Sequence, residues 1–435
     1  VTSCTRSRTD EDPADAADAV PPGPAPGAPS AGSRLAARLL TLPRPAQVLA
    51  VWAACSALTF LVLRLSAQDT PATPWAGAAP GWREHMSFWD AGWYERIARE
   101  GYPHSLPVDT QGDVAQNAWA FMPLLPTLAH GLTWVTGWSF YTCAALVSVV
   151  ASAAAALAMD WWLSPRTGNR ASLWAVALLW GSPCAPVLQV PYAEALTLLL
   201  VALALGLADR GRALAAAPFA VLAAFSRPVG VPLGAALGLW WAWQVARSHG
   251  WTPLRSLSLP SGGPRDSALS RHSLLLLALL SCAASLAWPA LAWASTGRAD
   301  AYTATETAWR EGDLIPFIPW LTRSGWWVGA HLSWLFLLLV LAGTALLLTA
   351  PALRRLGAAA WFWCLGYILY LLTFFDPTSS VLRVLLPLAP VAWALARRAR
   401  TTRARAALLL AGLVGQLFWV SWVWALGSVE IQWVP

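Results

Sequence analysis

SLLLLALLSCAASLAWPALAWAS, residues 273–295, runs for 23 residues without one charged side chain. A helix of this length, at about 1.5 Å per residue, crosses the roughly 30 Å hydrocarbon core of a bilayer. A helix that is apolar all round needs lipid, or the inside of a large protein, as its solvent. The rest of the chain decides for lipid. Of its 435 residues, 57% are hydrophobic and only 12% charged, where soluble domains have about 45–50% and 25%. This balance excludes an ordinary cytosolic enzyme, a disordered chain and a nucleic-acid-binding domain. The net charge of +7 is then read first as a marker of orientation.

Similar apolar runs lie near 46–66, 139–163, 171–190, 192–208, 213–229, 231–246, 328–349, 358–375, 381–397 and 406–426. We therefore expect an all-α, polytopic transmembrane protein of about eleven spans in a lipid bilayer. The 29 basic residues are all Arg, and most fall in alternate loops: Arg166 and Arg170, Arg210 and Arg212, Arg247 to Arg271, Arg354 and Arg355, and Arg397 to Arg405. The positive-inside rule puts these loops and the N-terminal tail in the cytoplasm. The 68–118 loop, the 296–327 loop, the turn at Asp376 and the C-terminus are then outside. Alternation requires that 119–136, with Pro123, Pro126 and His130, does not cross; a twelve-span arrangement is the alternative.

Residues 1–45 are acidic, then rich in Pro, Ala and Gly (PPGPAPGAPSAG, 21–32), and cannot bury enough apolar surface to fold. They read as a disordered cytoplasmic tail ahead of a membrane domain at 46–435. Cys55, Cys143, Cys184, Cys282 and Cys364 sit in apolar runs without a C-x-x-C pair, so they read as small apolar filler. The Ala-, Gly-, Pro- and Arg-rich composition matches a GC-rich genome, and we expect a multi-pass protein of a bacterial plasma membrane.

In so uncharged a chain, the charges that do not mark topology carry the chemistry. Seven of the 22 acidic residues lie in the 68–118 loop: Asp69, Glu84, Asp90, Glu95, Glu100, Asp109 and Asp113. Within it, residues 88–100 predict an amphipathic helix, with Phe88, Trp89, Trp93, Tyr94 and Ile97 on one face and Gly101 and Pro103 ending it. Asp90 reads either as a helix-N-terminal carboxylate facing the macrodipole or as a general base at the membrane boundary. Arg227 and Arg383 lie near outer span ends, where the inside rule does not place them. They snorkel to headgroups or bind a phosphate bidentately. Glu194 begins a span beside Tyr192. Asn117 is one of two Asn in the chain and a candidate sugar contact. Asp376 is equally a turn residue before Pro377. No short-range metal-ligand spacing is present, and we expect no metal and no cofactor.

FWDAGWYERIAREGYP (88–103) followed by NAWAFMPLLP (117–126) resembles the mannosyltransferases of the phosphatidylinositol-glycan class V type, in the polytopic GT-C superfamily. The likeness runs through Trp89-Asp90, Tyr94, Ile97-Ala98, Gly101-Tyr102 and the Ala120–Pro126 run, in which Met122 and Leu125 replace an aromatic pair. PYAEALTLLL (191–200) is similar to the family's Tyr-x-Glu and FSRPVGVPL (225–233) to its Arg-x-x-Gly. VLRVLLPLAP (381–390) adds an Arg-x-x-x-Pro. The resemblance implies an inverting transferase that moves mannose from a polyprenyl-phosphate-linked donor to a glycolipid or lipoglycan hydroxyl on the outer face. Asp90 is then the general base, with Trp89, Tyr94, Asn117, Tyr192, Glu194, Arg227 and Arg383 binding substrate. A lipid or sugar transporter or flippase is the competing class, because PVLQVPYAE (186–194) and SRPVGVP (226–232) have the broken character of cavity-lining segments.

Overall fold

Lipid offers the backbone no hydrogen-bond partners, so a chain this apolar has to close its hydrogen bonds within itself. The computed structural model describes residues 41–251, 268–310 and 315–425, and these form helices without any strand. Residues 1–40, most of the expected disordered tail, lie outside the described residues. Residues 1–43 make one contact unit, and Arg44 onward makes another that holds the helical bundle.

In chain order the bundle contains α1 (Arg44–Gln68), α2 (Trp82–His85), α3 (Asp90–Glu100), α4 (Leu124–Thr136), α5 (Phe140–Thr167) and α6 (Asn169–Trp180). It continues with α7 (Glu194–Asp209), α8 (Ala213–Ala224), α9 (Gly230–Ser248), α10 (Ala268–Thr296), α11 (Ala301–Arg310) and α12 (Ile318–Val328). Then come α13 (Ser333–Thr349), α14 (Pro351–Arg354), α15 (Ala358–Phe374), α16 (Val381–Val384), α17 (Pro390–Arg398) and α18 (Thr402–Val423).

Among the described residues four helices, α1, α5, α10 and α18, are long and apolar enough to cross a membrane, and the pair α12–α13, bent by 116°, makes a fifth if counted as one span. The expected count of about eleven exceeds this. The expected apolar runs do carry helices, but α6, α7, α8 and α15 have only 12, 16, 12 and 17 residues. The run 381–397 is split into α16, a 3-10 turn at Leu386–Leu388 and α17. Proline marks several of the interruptions, at Pro183, Pro228 and Pro387, since it lacks the N–H and obstructs the preceding turn. Segment 119–136 yields α4, whose 13 residues span roughly 20 Å, less than a hydrocarbon core.

Small residues bring the helices together. Ala144, Ser148, Ala151, Ser152 and Ala155 of α5 are all buried, and this helix packs along α7, the close approach that small side chains permit in lipid-soluble bundles. A Cβ on Gly366 of α15 would lie 2.9 Å from the Ala236 nitrogen and Pro232 oxygen of α9, so glycine is required there. Tryptophan, a residue enriched at membrane interfaces, here also fills the core: Trp162, Trp180, Trp363, Trp393, Trp419 and Trp424 are fully buried. Serines on facing helices satisfy two of their indoles, Trp180 Nε1 donating to Ser152 Oγ at 2.7 Å and Trp393 Nε1 to Ser172 Oγ at 2.8 Å.

Around the C-terminal ends of α5 and α7, charges pair in saturated forks. Asp160 accepts from Arg44 Nε at 2.9 Å and Nη2 at 2.5 Å, and from Ser172 Oγ at 2.6 Å. Asp209 accepts from both Nη1 and Nη2 of Arg166, whose backbone oxygen takes a bond from Arg397. Arg166 and Arg397, expected only as markers of inner loops, are thus also interhelical ties.

Candidate functional site

The opposite end of α7 gathers charges of another kind. Glu194 is the first residue of α7, released from the preceding segment by Pro191. Arg227 lies in the break between α8 and α9, immediately before Pro228, and Arg383 on the one-turn helix α16 between Pro377 and Pro387. Broken helices put exposed backbone and charge within an apolar bundle where protein, not lipid, covers them. Asp90 opens α3. Asp90 Oδ2 accepts from Arg383 Nη1 at 2.6 Å, and Glu194 Oε1 accepts from Arg227 Nη1 at 2.5 Å. The Arg383 Nε lies 3.4 Å from the same Glu194 oxygen. Residues from four separate segments thus form one chain of alternating charge, Asp90–Arg383–Glu194–Arg227.

The chain is neutral overall but not saturated. Glu194 Oε2 and Arg383 Nε are buried without a hydrogen-bond partner, so two of its atoms retain bonding capacity. The side chains of Glu194 and Arg383 are only 4% and 9% exposed, those of Asp90 and Arg227 20% and 21%. The two ends of the chain are therefore its accessible members. A carboxylate that can take a proton stands beside guanidinium groups that can receive an oxyanion.

Aromatic side chains wall this group. The Arg383 guanidinium stands 5.4 Å from the Tyr192 ring centroid, while Tyr192 donates to the Phe88 oxygen at 3.4 Å. Tyr94 is buried, edge-on to Phe121 at 5.5 Å. Burial raises its phenol well above the ordinary value, against the opposing pull of Arg227, so Tyr94 keeps its proton and stays a donor. Trp89 lies next to Asp90, yet its ring rests on Trp75 at 4.8 Å and its Nε1 donates to the Val423 oxygen at 3.0 Å. Asn117 stands outside the group. It bonds Thr305 of α11 at 2.9 Å and the Ala115 oxygen at 3.0 Å, and accepts from the Trp119 nitrogen at 3.0 Å.

An apolar groove of about 880 Å³ is lined among others by Cys184, Trp320, Val340, Gly343, Leu347 and Leu382; none of the four charged residues lines it. Leu382 precedes Arg383, and its oxygen accepts from Cys184 Sγ at 3.1 Å. The groove follows α13 from Phe336 to Leu347, roughly 17 Å along that helix. No residue of α13 is fully buried, as befits a helix that covers a groove on one side. Next to it Asp376 pairs with Arg323 of α12, accepting from Nε at 2.9 Å and Nη2 at 2.5 Å. Sequence reasoning placed Asp376 in a turn and missed Arg323, whose signal was an Arg in a loop assigned to the Arg-poor side. It also missed His85, which is fully buried with both ring nitrogens unpartnered.

Among the described residues no group of three or more His, Cys, Asp or Glu is arranged as a metal-ligand set. Asp109 instead closes its own turn, accepting from the Gln111 and Asp113 nitrogens at 2.8 and 3.0 Å. Comparison with family models, with curated proteins and with solved structures finds no match to this chain, so the site is read from its own residues.

Proposed function

We propose that this protein is a membrane glycosyltransferase that moves mannose from a polyprenyl-phosphate-mannose donor to a hydroxyl of a cell-envelope glycolipid or lipoglycan. The observation that carries the reading is a partly exposed carboxylate, Asp90, bonded to Arg383 in a buried and unsaturated chain of charges, with an apolar groove lined by Leu382, the residue before Arg383. The isoprenoid tail lies in the groove, which brings its phosphate to Arg383 and Arg227. Asp90 accepts the proton of the acceptor hydroxyl while that oxygen bonds to the sugar's anomeric carbon. The carbon–oxygen bond to phosphate breaks with its electron pair leaving on the phosphate, and the guanidinium groups neutralise the charge that develops there.

The resting contact between Arg383 and Asp90 fits this sequence of events. Arg383 occupies the Oδ2 of Asp90 at rest, and a bound phosphate competes for the same guanidinium. Donor arrival therefore frees Asp90 when it is needed. The sequence resemblance to class V-type mannosyltransferases supports the same assignment, as does the Arg distribution. With the Arg-rich loops on the cytoplasmic side, the Asp90 end faces outside a bacterial plasma membrane.

The test is transfer of labelled mannose from polyprenyl-phosphate-mannose by membranes containing the protein, with product identified by mass. Asp90→Asn is expected to abolish transfer at unchanged expression; equal transfer removes Asp90 as the base. Vesicles that move the donor lipid across the bilayer without forming product would replace the transferase reading with a transporter.

A further inference from the structure

Trp89 carries a backbone conformation that its side chain should oppose. Its φ of 60° and ψ of −124° are those of the first central residue of a type II′ turn, a place glycine normally fills. Ala79 and Phe317 are the other non-glycine residues with positive φ among those described, and neither adjoins the charged chain. Strain of this sort persists where surroundings over-determine it, and it collects at functional sites. What over-determines it here is a reciprocal pair of indole bonds. Trp89 Nε1 donates to the Val423 oxygen at 3.0 Å, and Trp424 Nε1 donates to the His85 oxygen at 3.0 Å. Two adjacent residues at the end of α18 thus grip two points of the 85–89 segment. Rings fill the space between: Trp75 packs on Phe88 at 5.2 Å and His85 on Phe88 at 5.3 Å. Trp89 itself is only 8% exposed, which leaves little ring face for a sugar to stack on.

Given the reading of Asp90 as base, we infer that Trp89 is a positioning residue: the indole clamp holds the strained turn that starts α3 and aims Asp90 at Arg383. The residue acts through the backbone of its neighbour and touches no substrate.

The experiment compares Trp89→Phe, Trp89→Ala, Trp89→Gly and Trp424→Phe with Asp90→Asn in the same mannose-transfer assay, with expression matched. Trp89→Phe keeps a ring and loses the bond to Val423. Its kcat is expected to fall between about 10- and 100-fold, the cost of a small misplacement of a reacting group, with KM for donor and acceptor unchanged. Trp424→Phe gives a smaller loss of the same kind. Trp89→Gly is expected to be about 5- to 30-fold more active than Trp89→Ala, because glycine alone holds positive φ without cost. That order reverses what side-chain size predicts, and it survives even if Trp89→Phe does not fold. A raised KM at unchanged kcat would make Trp89 a substrate contact and overturn the inference, as would Trp89→Ala matching or exceeding Trp89→Gly. Normal transfer by Asp90→Asn would instead strike the base assignment itself, whatever the Trp89 variants show.

Discussion

Helix α7 carries a buried carboxylate at each end, roughly 22 Å apart, and the two are used differently. Asp209 receives both terminal nitrogens of Arg166, and near it Asp160 takes the Arg44 fork together with Ser172. Glu194 offers one oxygen to two arginines and leaves the other without a partner. Fork–fork pairing gives a fixed geometry with nothing left over, which suits a tie between helices. Sharing one oxygen between two guanidinium groups leaves bonding capacity inside the bundle. Buried charge rarely stabilises a fold more than well-packed apolar residues would, so an unsaturated set is more simply explained by a ligand that completes it.

Substitution at the two ends should separate these roles. Asp90→Asn is expected to lower transfer by a factor of about 10³ or more, with a smaller loss of thermal midpoint than at the other end because Arg383 keeps Glu194 3.4 Å away; activity is read from product formed, folding from a melting curve in detergent. Asp209→Asn should do the reverse. Leaving the half-buried Arg166 without its carboxylate costs on the order of 1–3 kcal/mol of stability, while the kcat of the protein that remains folded stays near normal. If Asp209→Asn lost kcat without losing stability, the division between structural and reacting ends would fall.

Arg383→Lys is the next largest expected effect. A lysine keeps the charge but not the fork, and a loss of about 100-fold in kcat/KM is expected, about 3 kcal/mol of transition-state binding. The groove gives a gentler test. Nothing lies within 4 Å of a Cβ built on Gly343, so Gly343→Trp enters the groove without displacing backbone. KM for a long-chain donor should rise by about tenfold, and KM for a short-chain donor should not; an equal response would detach the groove from donor binding.

The last test concerns pH and stability. Burial, reinforced by Arg64, lowers the His85 imidazole to about 4, against about 6.5 in an unfolded chain. Between those values the unfolded chain binds a proton that the folded one does not. Stability is therefore whole above about pH 6.5 and declines toward pH 4, by up to about 3 kcal/mol. His85→Phe should flatten this slope in detergent melts; an undiminished slope would assign it to other groups.

The helices and the residues of the charged chain were readable because both leave local marks. An uncharged run of 23 residues has almost no place outside a bilayer, and SRPVG and PYAE announce a charge beside a helix break. The span count was less readable, because hydropathy does not register where a proline splits an apolar run into pieces too short to cross. Pairing left no local mark at all: Asp90 and Arg383 are 293 positions apart, and Arg323 gave no hint that Asp376 would receive it. The buried tryptophans left no local mark for a related reason. Whether an indole anchors at an interface or donates to a serine on the next helix depends on what faces it, and composition carries no record of that.

The grip of α18 on the 85–89 segment has a consequence for biosynthesis. A chain emerging from the ribosome delivers Asp90 early, Glu194 and Arg227 later and Arg383 later still, yet the turn that orients Asp90 waits for Val423 and Trp424. Until α18 has docked, the nascent protein holds the Asp90 carboxylate unaligned. On the proposed reading, competence to transfer and completion of the chain then coincide, and a chain cut short of Val423 would be membrane-bound but inactive.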